Sequence, residues 1–98
     1  RVNVNFGVVY GSDVQRVISV VKKALENIET IEMDPPPSVE FLKMSDFSLD
    51  FVGRVWVDDY SKAWSTQLLV TEVIYNALNQ SGIDIPFPTR TILSDKTD

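Results

Sequence analysis

Gly82-Ile83-Asp84-Ile85-Pro86-Phe87-Pro88 limits what this chain can fold into more than any other stretch. Gly82 lacks the Cβ that clashes in the left-handed conformation, so it predicts the end of a helix. Ile83 and Ile85 alternate with Asp84, the period of a strand with one buried face. Pro86 and Pro88 remove two backbone donors, which bars this strand from the middle of a sheet. It must run along an edge or leave the sheet. A chain that leaves in this way is handed to something outside its own sheet, such as neighbouring subunits.

The elements before it can be read in order. Val2, Val4, Phe6, Val8 and Tyr10 alternate with Asn3, Asn5, Gly7 and Val9, the pattern of a strand. Gly11 turns the chain, and Ser12-Asp13-Val14-Gln15 fits a capping box with Ser12 as the cap. Val14, Val17, Ile18, Val21, Leu25 and Ile28 then follow at helical spacing. Asp34-Pro35-Pro36-Pro37 predicts a stiff, extended connector, because three prolines fix φ and lack donors. Val39 to Met44 reads as a second strand and Leu49 to Asp58 as a third, joined by a turn at Ser45-Asp46-Phe47-Ser48. A second helix spans about Ser61 to Ser81, with Trp64, Leu68, Val70, Val73, Ile74, Ala77 and Leu78 as its apolar face. The order strand, helix, strand, strand, helix, strand is the split βαβ, ferredoxin-like arrangement. It predicts an α+β fold: a four-stranded antiparallel sheet with two helices on one face and the last strand at an edge. Residues 1–93 would form one domain and 94–98 a polar tail.

Composition narrows the chemistry. The chain contains no cysteine and no histidine, which removes disulfides, thiolate ligands, and the commonest general base and transition-metal ligand. Nine basic and fourteen acidic residues give a net charge of −5, a poor match for nucleic acid or an anionic membrane surface. No apolar run approaches the ~20 residues of a membrane helix. The sequence opens at Arg1 directly into a strand, as a piece of a longer protein would. Any membrane role is expected of parts outside these residues.

Four motifs occur in order: Val9-Tyr10-Gly11-Ser12-Asp13, Asp34-Pro35-Pro36-Pro37, Arg54-Val55-Trp56-Val57, and Gly82 through Thr91 with its Pro-Phe-Pro. With them, the chain up to about Leu93 resembles the C-terminal cytoplasmic α/β domain of the small-conductance mechanosensitive channel (MscS-type) family. Thr89 stands where that family often has glutamine. The resemblance implies a homo-heptameric membrane channel opened by bilayer tension, with this domain in its cage on the cytoplasmic side of the inner membrane. It implies that ions and small solutes cross that vestibule. It also implies that Thr89 to Leu93 is a strand of a small barrel built from all subunits.

Individual residues admit a functional and a plainer reading. Trp56 shares a predicted open sheet face with Asp50, Val52, Arg54 and Asp58, and is a candidate subunit contact. The plainer account packs it over Val52 and Val9, with Arg54 paired to an aspartate. Pro86, Phe87 and Pro88 are the candidate exit-strand residues. Asp58-Asp59, with Asp46 and Asp50, lacks the loop spacing of a calcium site and reads as solvated carboxylates. Tyr10 reads as core or strand-end packing, Lys22-Lys23 as a solvated helix face, and the Pro-rich connector as a stiff loop. The glycines form no phosphate loop. Arg16 lies in the first helix, outside the loop where acylphosphatase-like chemistry would need it. No catalytic residue, cofactor or metal site is assigned, and the chain is not expected to be an enzyme.

Two functions remain at this stage. The first is a structural and assembly domain of the channel cage. The second is a ligand-binding regulatory module on a ferredoxin-like fold, which topology alone does not exclude. The departing proline-rich strand favours the first.

Overall fold

A computed structural model describes residues 1–86 of the chain. Strand β1, Val2–Val8, buries Val2, Val4 and Val8 and exposes Asn3 and Asn5, as its period-two pattern requires. Gly11 then turns the chain at φ 94°, a conformation that costs a glycine little. Helix α1, Val14–Glu26, starts one residue later than the capping box predicts. Its cap is Asp13, whose carboxylate accepts from the amides of Gln15 and Arg16. A carboxylate is an ionised acceptor at the positive end of the helix dipole, and here it takes the place expected of the Ser12 hydroxyl. Val17, Val21 and Leu25, spaced by one turn, are fully buried.

The proline-rich connector is anchored by the amide of Glu32, which donates to the carbonyl of Trp56 at 2.8 Å. Its Asp34–Pro35 peptide is cis. Strands β2, Ser38–Met44, and β3, Leu49–Val55, follow as an antiparallel hairpin. Pairing shifts between Phe41 and Lys43, which leaves Leu42 as an extra residue on β2. Strand β3 also pairs antiparallel with β1, from Val2 opposite Val55 to Val8 opposite Leu49. The sheet order is therefore β1-β3-β2. The third strand was expected to reach Asp58 but ends at Val55, because beyond it Trp56 makes only the isolated bridge to Glu32.

Asp59 accepts from the amide of Ser61 and starts a 3₁₀ turn, Tyr60–Lys62, that leads into α2, Ala63–Gln80. The core face of α2 is Thr66, Val70, Ile74 and Leu78. Trp64 and Leu68, expected in that face, are instead 67% and 53% exposed. Both helices cover the same side of the sheet. A Cβ on Gly53 would stand 3.3 Å from Ile74 Cδ1 and 3.5 Å from Leu25 Cδ1, so this glycine marks where the helices meet over the central strand. Phe51, also on that side, stacks on Phe6 with ring centroids 5.4 Å apart and touches Phe41 at 5.1 Å.

The fold is thus α+β, three antiparallel strands with two helices on one face. The four-stranded sheet expected from the sequence is not formed among the described residues. Ile83 to Pro86 lies beside the end of β1 and makes one backbone bond to it, from the amide of Val9 to the carbonyl of Asp84 at 3.0 Å. A ladder here is opposed by Pro86, which has no amide proton to give. Phe87, Pro88 and the predicted strand Thr89 to Leu93 lie outside the described residues.

Candidate functional site

The helix-free side of the sheet carries the residues singled out above. Val52 stands in register between Asn5 and Glu40 and is 2% exposed although no helix covers it. Glu40 is paired with the guanidinium of Arg54, two residues along β3, which sets the ion pair diagonally across the strands beside Val52. The expected partner of Arg54 was an aspartate; the glutamate on the adjoining strand reaches it instead, and among the described residues no aspartate bonds it. Trp56 is half-buried at the end of this face, with its carbonyl engaged by Glu32.

Asp50 sits at the other end of β3 and binds the hairpin turn. It accepts from the hydroxyl of Ser45 and from that of Ser48, the latter at 2.6 Å. These two bonds, aided by the nearby Lys43 ammonium, hold its carboxyl below the ordinary value. The hydroxyl of Tyr10 donates to the carbonyl of Ser45, so the residue just beyond β1 is tied to the same turn. Tyr10 is therefore a strand-end contact, and its ring is about half exposed rather than core.

The acidic pair after β3 is accounted for locally. Asp58 pairs with Lys62 one helical turn on, at 3.1 Å. Asp59 is held below the ordinary carboxylate value, first by the Ser61 amide and then by the Ser61 hydroxyl. No group of three or more potential metal-ligating residues exists among the described residues. Arg16 donates to the carbonyl of Ser81 at 2.6 Å and so joins the start of α1 to the end of α2. Pro86 borders a hollow with Val9, Tyr75, Asn79 and Asp84, in which Asp84 is the sole charged side chain. Both shifted carboxylates are pushed towards ionisation, the opposite of what a general acid near neutral pH requires.

What the arrangement offers is surface for contact. Trp64, Leu68 and Tyr75 lie exposed along α2, and Leu42, Met44 and Phe47 lie exposed on β2 and its turn. Sequence reasoning placed Trp64 and Leu68 in the core and gave no role to the second group. The available signal was the composition of α2, whose eighteen residues include one charged side chain, Glu72. No helix among the described residues is long and apolar enough to cross a membrane.

Comparison with known proteins gives this surface its setting. The family described as mechanosensitive ion channel MscS, C-terminal, matches residues 2–85. The small-conductance mechanosensitive channel of Helicobacter pylori is 32% identical over 81 residues, covering 83% of this chain and 30% of that protein. An uncharacterized MscS family protein of Synechocystis is 30% identical over 94 residues, covering 94% of this chain and 31% of that protein. The crystal structure of Helicobacter pylori MscS in its closed state superposes with a TM-score of 0.78 at 28% identity, covering 98% of this chain and 38% of that one. The chain thus spans about a third of the length of the relatives it matches. The family model and the fold agree that this chain belongs to the MscS mechanosensitive ion channel family, as its C-terminal domain.

Proposed function

We propose that this domain is a structural and assembly unit of a homo-heptameric mechanosensitive channel, forming part of the wall of its cytoplasmic vestibule. The observation that carries this reading is the fold agreement with a closed MscS channel along nearly the whole chain. The domain performs no catalysis. Its two shifted carboxylates, Asp50 and Asp59, are engaged in local turns, and its exposed surface includes several large apolar side chains. Trp56 serves as a subunit contact at the end of the helix-free face. Pro86, Phe87 and Pro88 lead the chain away from β1 and out of its own sheet, towards the other copies in the assembled channel. There its edge groups are paired by neighbouring subunits.

The −5 charge of each copy, repeated around a ring, gives the vestibule an acidic field. Salt screens that field over about 8 Å at physiological ionic strength, so it acts on ions only at narrow openings.

The test is the mass of the full-length channel subunit in detergent, measured by light scattering, together with patch recordings under applied suction. A seven-subunit particle carrying tension-activated current is the expected result. A dimer that gains thermal stability with a small molecule would replace this reading with a ligand sensor.

A further inference from the structure

We propose that the outer edge of β1, with the exposed stripe of α2 beside it, is a docking groove for an extended, basic and apolar peptide segment of another protein. Strands β1 and β2 are the two edges of the sheet, and they are not alike. Strand β2 is interrupted by the bulge at Leu42 and carries exposed Glu40 and Lys43, devices that blunt an edge against pairing. Strand β1 is regular from Val2 to Val8 and has no charge, no proline and no bulge. Its even-numbered residues serve the sheet: Val4 lies opposite Gly53, and the Val4 carbonyl oxygen stands 4.0 Å from where a Gly53 Cβ would be. The odd-numbered ones turn the other way, since the amide of Val9 donates outward to Asp84. The amides and carbonyls of Asn3, Asn5 and Gly7 therefore point outward along the free edge.

The chain's own closing segment is unsuited to this edge. Arriving at the Val9 end of β1, it can follow the strand only by running back along it, antiparallel. The Val9–Asp84 bond sets the register, which puts Pro86 opposite Gly7 and residue 88, also a proline, opposite Asn5. Those two positions would have to donate to the Gly7 and Asn5 carbonyls, and proline has no amide proton. Two prolines, two residues apart, thus withhold both bonds of a self-made ladder.

Beside the edge lies the apolar stripe of α2. Tyr75 borders the hollow at the end of β1 together with Val9 and Asp84. Leu69, on another side of the helix, borders Thr30 just beyond α1. Trp64 and Leu68 share the side of Tyr75, at helical spacings, and all three are exposed. Strand β1 spans roughly 23 Å and the stretch from Trp64 to Tyr75 roughly 17 Å, so free edge and apolar stripe run together for most of the strand. An extended peptide is the shape that satisfies both: its backbone bonds to β1, and every second side chain lies against α2.

Charge sets the chemistry of that peptide. Among the described residues, Glu72 on α2, Asp84 at one end of the groove and Asp59 at the other are matched by Arg1 alone. The remaining charges nearby are offset in place: Lys62 by Asp58, Arg54 by Glu40, Lys43 by Asp50 and Arg16 by Asp13. The groove is thus acidic beside an apolar wall, and it favours lysine or arginine at the ends of an apolar strand.

The experiment measures binding of a fluorescein-labelled peptide, Lys-Val-Thr-Val-Thr-Val-Lys, to the full-length channel in detergent by fluorescence anisotropy. Saturable binding is expected, weakened by salt and lost when the peptide's backbone nitrogens are methylated. Asn5→Pro removes an outward amide without touching the ladder to β3, and Leu68→Ser removes part of the apolar wall. Each should weaken binding on the order of tenfold. Equal affinity for the methylated peptide would show that no strand is added and overturn the proposal. So would unchanged binding in either variant, or no binding to a channel whose edge another copy or another part of the subunit already covers. A channel that joins edge to edge into larger particles, dispersed by Asn5→Pro, would assign the edge to a second copy and overturn it too. None of these outcomes depends on the seven-subunit mass, so the assembly reading stands or falls separately.

Discussion

The amide of Ile83 donates to the carbonyl of Leu78 across 2.9 Å, and both side chains are buried. With the amide of Gly82 on the carbonyl of Asn79 at 3.2 Å, this closes α2 in a Schellman motif. Gly82 holds φ 72°, and nothing lies within 4 Å of where its Cβ would stand. The cost of Gly82→Ala is therefore conformational, about 1–2 kcal/mol. Urea unfolding should show a lower midpoint with an unchanged slope. A midpoint equal to that of the parent chain would show that the left-handed turn does not hold this helix end.

The two residues that compete to cap α1 can be separated by substitution. Asp13 supplies the carboxylate that accepts from Gln15 and Arg16, so Asp13→Ala should cost about 1 kcal/mol. Ser12→Ala should stay within about 0.5 kcal/mol of the parent, as for a surface change away from such a feature. Reversed magnitudes in the same denaturation assay would restore Ser12 as the cap.

These two ends show what was legible in the sequence. Gly82 could be read because one residue type answers one backbone need. Ser12 and Asp13 could not be told apart, since both side chains cap helices and differ by one position. Alternation located β1, and helical spacing located the buried stripe of α1. The same reasoning failed for Trp64 and Leu68, because α2 carries two apolar stripes and periodicity does not say which one meets the sheet. The extra residue at Leu42 leaves no mark in a run as apolar as Phe41-Leu42. For the closing segment, Pro86 has no amide to give and so argues against the ladder with β1 that the strand order required.

The orientation of α2 can be checked directly. Ile74 is 2% exposed beneath the helices, and Ile74→Ala should cost about 2–4 kcal/mol as a cavity-forming change. Trp64→Ser removes a larger side chain, yet should alter the stability of the isolated chain by no more than about 0.5 kcal/mol. Comparable losses from both would return Trp64 to the core.

Acid should weaken the hairpin turn in a traceable way. The native state holds Asp50 below its ordinary value of 3.8, so the unfolded chain takes up this proton more readily. Asp50 then adds stability from about pH 5 upward, and that share is lost as the pH falls through the native-state value. The carboxylate is partly open to water, which keeps the effect under about 1 kcal/mol. Asp50→Asn should lower stability at neutral pH and flatten the acid side of the stability curve. An acid side as steep as that of the parent would assign the loss to other carboxylates.

The pairing of Val2 with Val55 also has a temporal side. Within this domain β1 is made before its partner β3, which is not available until the connector and β2 have followed. The β2–β3 hairpin joins neighbours in sequence and closes at little entropic cost, whereas β1 must wait for a long loop to close. A chain emerging from the ribosome therefore holds β1, with Val2, Val4 and Val8, without its partner strand until β3 has emerged. Synthesis at roughly 5–20 residues per second sets the length of that interval, because a hairpin closes in microseconds once both its strands exist.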